Sequence, residues 1–253
     1  MLKRELTYFF GAVRFFTRLP VPGWVGHSAE ALQHSARYFP AVGLVVGGIG
    51  AVVYLVALQL WTQPVAVLLA MAATLYATGA FHEDGLGDTV DGLGGGWEKS
   101  RILEIMKDSR VGSYGVVAMC LALLGKFTLL AGLDPAQVPF ALLAGHALSR
   151  FCATLLLATM DYVRDDAQSK ARPLASRLSG GALLFAWLTV LAALLPLPLA
   201  QAVAGCLGAA LATLWLAAKF KRWLGGYTGD CLGAVQQVSE IAFYLGLLAH
   251  WPA

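Results

Sequence analysis

YFPAVGLVVGGIGAVVYLVALQL, residues 38–60, runs for twenty-three positions without a charged side chain. As a helix it would rise about 35 Å, enough to cross a hydrocarbon layer of roughly 30 Å. Working outward, six more apolar runs follow at 65–81, 112–131, 138–160, 182–195, 201–218 and 232–251. The run at 182–195 is short and closes with Pro196 and Pro198. Composition agrees: 58% of residues are hydrophobic, 13% are charged, and mean hydropathy is +0.67. Soluble domains carry about 25% charged residues, and a soluble fold could not hide this much apolar surface behind so few charges. The expected fold class is all-α: one polytopic membrane helix bundle of about seven transmembrane helices, forming a single integral membrane domain over 1–253.

The links between these runs sort by charge. Segments 1–37, 82–111, 161–180 and 219–231 hold sixteen of the eighteen Lys and Arg residues. Links 61–64, 132–137 and 196–200 hold none. The positive-inside bias then places the N-terminus and the charged loops in the cytoplasm, and the expected location is a cytoplasmic (inner) membrane. Arg14 and Arg18 interrupt the first apolar stretch, and no small-residue cleavage pattern follows, so a secretory signal is not expected. Residues 6–19 read either as a basic, aromatic helix lying in the interface or as an ordinary first helix. A net charge of +3 without a basic stripe excludes nucleic acid as a partner. The four cysteines show no CxxC spacing and read as small buried hydrophobes. Oligomeric state is open, a homo-oligomer included.

The chemistry concentrates in HEDGLGDTVDG, residues 82–92. On a helix, Asp84, Asp88 and Asp91 fall at i, i+4 and i+7, which stacks three carboxylates on one face. Such a stripe repels itself and calls for a cation. Hard divalent ions take oxygen ligands, and Mg²⁺ is typically held by a few carboxylates together with substrate phosphates. Glu83 points about 100° away on a helix of 3.6 residues per turn and ranks below the others as a metal ligand. Neutralisation by Arg101, Lys107 and Arg110 is the plain alternative. Against it, the acids abut a span, Gly85 and Gly87 allow a ligand to approach closely, and 92–96 offers a glycine hinge.

Residues 98–110 read as a second amphipathic helix. It sets Glu104 and Asp108 four apart, with Lys107 and Arg110 beside them. Carboxylates for a metal and cations for phosphate side by side suit phosphoryl transfer. Asp108 is therefore a candidate catalytic residue, and Lys107 and Arg110 are candidates to bind phosphate. Asp230, in GGYTGD at 225–230, is a further candidate metal ligand. Lys126, Arg150 and Glu240 lie within spans, where charge is costly. Arg150 and His146 are candidates for substrate binding in a polar cavity, with a structural Arg150–Glu240 pair as the competing reading. Two motifs fail. His82-Glu83 begins like HExxH, but Leu86 stands where the second His is due. The stretch 94–100 resembles a P-loop, but Glu98 replaces the glycine before Lys-Ser.

Five pieces of the chain, FFTRLPVP (15–22), RYFPAVGLVVG (37–47), FHEDGLGDTVDG (81–92), RILEIMKDSRVGSYG (101–115) and GGYTGDCLGA (225–234), resemble the cobalamin synthase family in the family's own order. Gly87, where alanine is common, is the one mild departure. The resemblance implies a Mg²⁺-dependent adenosylcobinamide-GDP ribazoletransferase working late in cobalamin assembly. Its substrates would be the corrinoid nucleotide adenosylcobinamide-GDP and α-ribazole or its 5′-phosphate, with membrane lipid around the chain. A CDP-alcohol phosphatidyltransferase is the nearest rival, but its DGxxAR signature is broken by Asp88 and Thr89. A transporter using Lys126, Arg150 and Glu240 is the rival from another class, and no inverted repeat supports it.

Overall fold

A computed structural model describes residues 2–26, 29–164 and 178–249. Among the described residues the chain is helical, with a single isolated bridge between Tyr162 and Tyr227. Its helices are α1 (Leu2–Phe16), α2 (Ala29–Ser35), α3 (Phe39–Ala57), α4 (Gln63–Thr78), α5 (Phe81–Gly95), α6 (Lys99–Ile105), α7 (Ser113–Gly132), α8 (Val138–Thr159), α9 (Gly180–Leu194), α10 (Leu199–Leu224) and α11 (Gly229–Leu247). A short 3₁₀ turn, Ala36–Tyr38, joins α2 to α3.

Each apolar run in the sequence forms a helix. Among the described residues, four helical stretches are long and apolar enough to cross a membrane: Ala31–Ala57, Ser113–Gly132, Val138–Thr159 and Leu199–Leu224. A fifth is counted if Gln63–Thr78 and Phe81–Gly95, bent by 85°, form one broken span. This is the make-up of a multi-pass membrane protein. The distribution of side chains agrees, because Val52, Val56, Leu121, Leu188, Leu207 and Leu211 face outward while Lys126, Arg150 and Glu240 are buried. Apolar outside and ionisable inside is the arrangement that hydrocarbon solvent demands.

The core is α3 against α8. A Cβ added at Gly47 would stand 2.6 Å from the Leu142 carbonyl oxygen, and one at Gly43 would overlap the His146 carbonyl. The two backbones therefore touch, which small residues at a helix interface permit. At Gly208 of α10 an added Cβ would lie 2.6 Å from the Ala242 carbonyl of α11, the same device again. One end of the bundle is tied by Tyr54 Oη donating to Pro135 O (3.2 Å), Gln63 Nε2 to Leu133 O (2.8 Å) and Gln137 Nε2 to Gln201 Oε1 (3.1 Å). The other end gathers the C-termini of α4, α8 and α10 and the N-termini of α5, α7 and α11, and the acidic residues lie there.

α1 docks on that end through Ala12, Val13 and Phe16, leaving Leu2 and Leu6 exposed. The Phe16 ring stacks on His82 with centroids 5.3 Å apart, and Arg18 N–H donates to the Ala77 carbonyl (2.8 Å). Glu5 accepts hydrogen bonds from Arg37 and from Tyr38 Oη (2.8 Å).

Candidate active site

The acidic helix does not continue α4. Gly79 and Ala80 are both left-handed (φ 66° and 55°), and they turn the chain by 85° into α5. Gly79 caps α4, whose last carbonyls it satisfies. The expected glycine roles also change. Residues 92–95 are helical, so there is no hinge before Gly96; an added Cβ at Gly92 would lie 3.1 Å from the Ile102 carbonyl of α6. Gly85 approaches α11, with an added Cβ 3.0 Å from the Asp230 carbonyl, and Gly87 approaches the Met119 thioether of α7 at 3.3 Å. These glycines allow helices to meet, not ligands.

The crossing at Gly85 and Gly233 brings Asp230, in the first turn of α11, toward the side of α5 that bears Asp84 and Asp88. Asp84 is exposed and Asp88 half-buried. Burial first, then the neighbouring Asp230 and Asp84 carboxylates, push the Asp88 carboxyl up to about 7, against the opposing pull of Arg164. Negative charge is under-compensated here, which fits a bound cation. Yet no three Asp, Glu, His or Cys side chains converge as a ready set of metal ligands among the described residues. Asp230 is drawn instead to Arg164, whose Nη2 lies 2.9 Å from its Oδ2.

Asp91, the third member of the stripe, is buried and accepts backbone N–H groups from Gly112 (2.7 Å) and Gly115 (2.8 Å). It thus satisfies donors at the start of α7 that would otherwise be orphaned. The second amphipathic helix is shorter than its pattern implies, because α6 ends at Ile105. Asp108 ends it by accepting the Arg110 backbone N–H (3.0 Å), an Asx-type turn that competes with helix. The Arg110 guanidinium also donates to both Asp108 oxygens (2.7–3.2 Å). That bonding holds the Asp108 carboxyl down at about 2. Lys107 and Arg110 are exposed.

Glu83, His146 and Arg150 lie elsewhere, in the bundle interior. Gln237 Nε2 donates to Glu83 Oε1 (2.7 Å). Glu240 takes Lys126 Nζ (3.2 Å), Gln236 Nε2 (2.6 Å) and Tyr244 Oη (3.1 Å), with His146 Nδ1 at 3.6 Å. Arg150 Nη1 donates to the His146 carbonyl (3.0 Å), so the direct ion partner of Glu240 is Lys126. Among the described residues, His82, Glu83, Arg150 and Gln237 each keep one buried polar atom without a partner, and they line one cavity of about 20 Å³. That volume admits a water but no substrate group.

Arg164 is the residue that sequence reasoning missed. One of several basic residues in the polar link 161–180, it has no periodicity to set it apart. It is positioned by the Tyr162–Tyr227 bridge, with Val163 N–H donating to Tyr227 O and Tyr227 N–H to Asp161 O, both 3.0 Å. From there Nη2 also reaches the Met106 carbonyl (3.1 Å). One guanidinium therefore ties the link after α8 to the end of α6 and to Asp230.

Comparison with known proteins places these features in a family. An adenosylcobinamide-GDP ribazoletransferase of Polaromonas sp. (strain JS666) is 49% identical, covering 93% of this chain and 94% of the relative. Those of Shewanella piezotolerans and Leptothrix cholodnii are each 46% identical over 98% of this chain. No solved structure matches. Residues 8–248 match the Cobalamin-5-phosphate synthase family, and the chain belongs to it.

Proposed function

We propose that this protein is a Mg²⁺-dependent adenosylcobinamide-GDP ribazoletransferase. The hydroxyl oxygen of α-ribazole, or of its 5′-phosphate, bonds to the cobinamide-side phosphorus of adenosylcobinamide-GDP. The bond from that phosphorus to GMP breaks, GMP leaves with the bridging oxygen, the hydroxyl proton passes to solvent, and adenosylcobalamin or its 5′-phosphate forms. The observation that carries this reading is the under-compensated carboxylate group of Asp84, Asp88 and Asp230 on two crossing helices, faced by the one guanidinium of Arg164, in a chain of this family. A pyrophosphate cannot approach such a group unless cations lie between.

Asp84 and Asp88 would hold Mg²⁺, with Asp230 as a further ligand once it parts from Arg164. When bound, the ion supplies charge neutralisation and orientation for in-line displacement. Asp91 keeps its place on α5 while bonded to α7, so its contribution is to fix the helix that carries the other two. Asp108, held ionised by Arg110, is a poor base and serves better as an anchor for that guanidinium. Lys107 and Arg110, both exposed, would meet phosphate oxygens. We further assign seven spans, corresponding to α3, α4, α7, α8, α9, α10 and α11. The N-terminus and the acidic end lie on the cytoplasmic side of the inner membrane, an orientation that the positive-inside bias supports because segments 1–37, 82–111, 161–180 and 219–231 of the sequence hold sixteen of the eighteen basic residues.

The test is an assay of the purified chain in lipid with adenosylcobinamide-GDP and α-ribazole, with and without Mg²⁺, followed by product identification. Mg²⁺-dependent release of GMP with equimolar cobalamin product is expected. Turnover of a CDP-alcohol instead, or solute flux without any product, would overturn the assignment. Asp84→Ala should lose at least 10²-fold in turnover with unchanged thermal stability, a loss on the scale of one removed electrostatic stabiliser.

A further inference from the structure

Beside Arg164 lies an open groove of about 840 Å³ between α6 and residues 163–164, with none of Asp84, Asp88 and Asp230 in its lining. Lys99, Ser100, Leu103 and Lys107 line one wall, and Val163 and Arg164 the other. Glu98 and Glu104 also border it, so its three cations exceed its two anions by one, with Glu104 paired to Arg101 (2.8 Å) and Arg164 to Asp230 (2.9 Å). Two other large cavities, one walled by α8, α9 and α10 and one by α5, α7, α10 and α11, are lined mainly by apolar side chains and suit neither phosphate nor ribose.

Arg164 makes the groove more than a charged surface. Its side chain is only 13% exposed, and its Nε–H has no hydrogen-bond partner among the described residues. A buried donor left unmade is costly, the more so when charged, so this one calls for an acceptor. The same guanidinium touches Asp230. It therefore stands at the boundary between the acidic group and the groove. Lys99 Nζ lies 3.8 Å from where a Cβ on Gly225 would stand, beside the residue that caps the C-terminus of α10. That terminus carries partial negative charge, which favours an ammonium beside it.

We infer that this groove binds the nucleoside 5′-phosphate half of the diphosphate substrate, with Arg164 and Lys99 as phosphate-binding residues. The inference rests on the transferase reading above and extends it. The attacked phosphorus lies at the carboxylates, the next phosphate lies across Arg164, and the nucleoside continues into the groove. The volume is in the ordinary range for a small-molecule site. A planar guanidinium offers phosphate two parallel donors, which a lysine cannot reproduce.

The test is equilibrium binding of GMP to the purified full chain in nanodiscs with Mg²⁺. Lys99→Ala and Arg164→Ala should each weaken GMP about tenfold or more, in line with loss of a charge-assisted hydrogen bond. Arg164→Lys should recover only part of that loss. Because Arg164→Ala also frees Asp230, Lys99→Ala is the variant that isolates the groove, and it should leave α-ribazole binding within about twofold of wild type. GMP binding by Lys99→Ala and Arg164→Lys equal to wild type would overturn the groove. Displacement of GMP by equimolar inorganic phosphate would overturn its nucleoside specificity. If GMP binds in a Lys99-dependent manner but adenosylcobinamide-GDP is not turned over, the groove stands and the transferase reading falls. Turnover with Lys99-independent GMP binding is the reverse.

Discussion

Asp91 accepts two backbone N–H groups, whereas Asp88, one turn earlier, accepts none among the described residues. The same residue type on the same helix therefore does different work. Asp91→Ala would orphan two donors at the start of α7 and should cost about 1–3 kcal/mol, read as a lower Tm of the metal-free protein. Asp84→Ala should leave Tm alone, and equal losses in both variants would refute the distinction. Asp88 makes a separate prediction about pH. Its carboxyl titrates near 7 in the folded chain and near 3.8 when unperturbed. Because the folded value is the higher, its stabilising contribution is full below about pH 4 and is lost as pH rises through 7. Chelated protein should thus melt lower at pH 8 than at pH 5.5, Mg²⁺ should narrow that gap, and Asp88→Asn should remove it. A pH-independent Tm in chelator would sink this account.

Among the elements, α5 shows how a short polar helix is aimed. The carboxylate period of 82–92 was legible as helix because i, i+4, i+7 spacing admits little else. Its direction was not, since the 85° bend depends on two consecutive left-handed residues, one of them the non-glycine Ala80. Nothing about an alanine announces a positive φ, and the conformation costs roughly 1–2 kcal/mol. Ala80→Gly should recover part of it, raising stability by up to about 1 kcal/mol in thermal or denaturant unfolding. A destabilising Ala80→Gly would show that the bend is not where strain lies. The glycines of α5 misled for a related reason. In a membrane chain a small residue is as apt to face another helix as a ligand, and only the crossing with α11 and the packing against Met119 and Ile102 decide which. α6 was over-read because the charge pattern of 98–110 ignores Asp108, whose side chain competes for the backbone.

Taken as a whole, the molecule is a hydrocarbon-facing shell around a polar axis. The seven apolar runs were visible in sequence because lipid solvent imposes length and composition on each run independently. Intramembrane charges at Lys126, Arg150 and Glu240 were equally visible, but which would pair was not, since partners come from α7, α8 and α11 and depend on rotation about each helix axis. In the bundle, Lys126 and Arg150 are balanced by Glu83 and Glu240, with the Lys126–Glu240 contact at 3.2 Å as the shortest ion pair among them. Glu83 belongs to α5, so this axis also fixes the helix that carries Asp84 and Asp88. Glu240→Gln leaves two buried cations facing one anion, and Lys126→Met leaves two anions facing one cation. Each single change should cost about 3–5 kcal/mol, because the uncompensated partner stays buried. The double variant, Lys126→Met with Glu240→Gln, restores one cation to one anion and should be far more stable than the sum of its parts. Unfolding of the four proteins in detergent gives that coupling directly. Strict additivity would mean that the charges are solvated in place and that the axis does not hold α5.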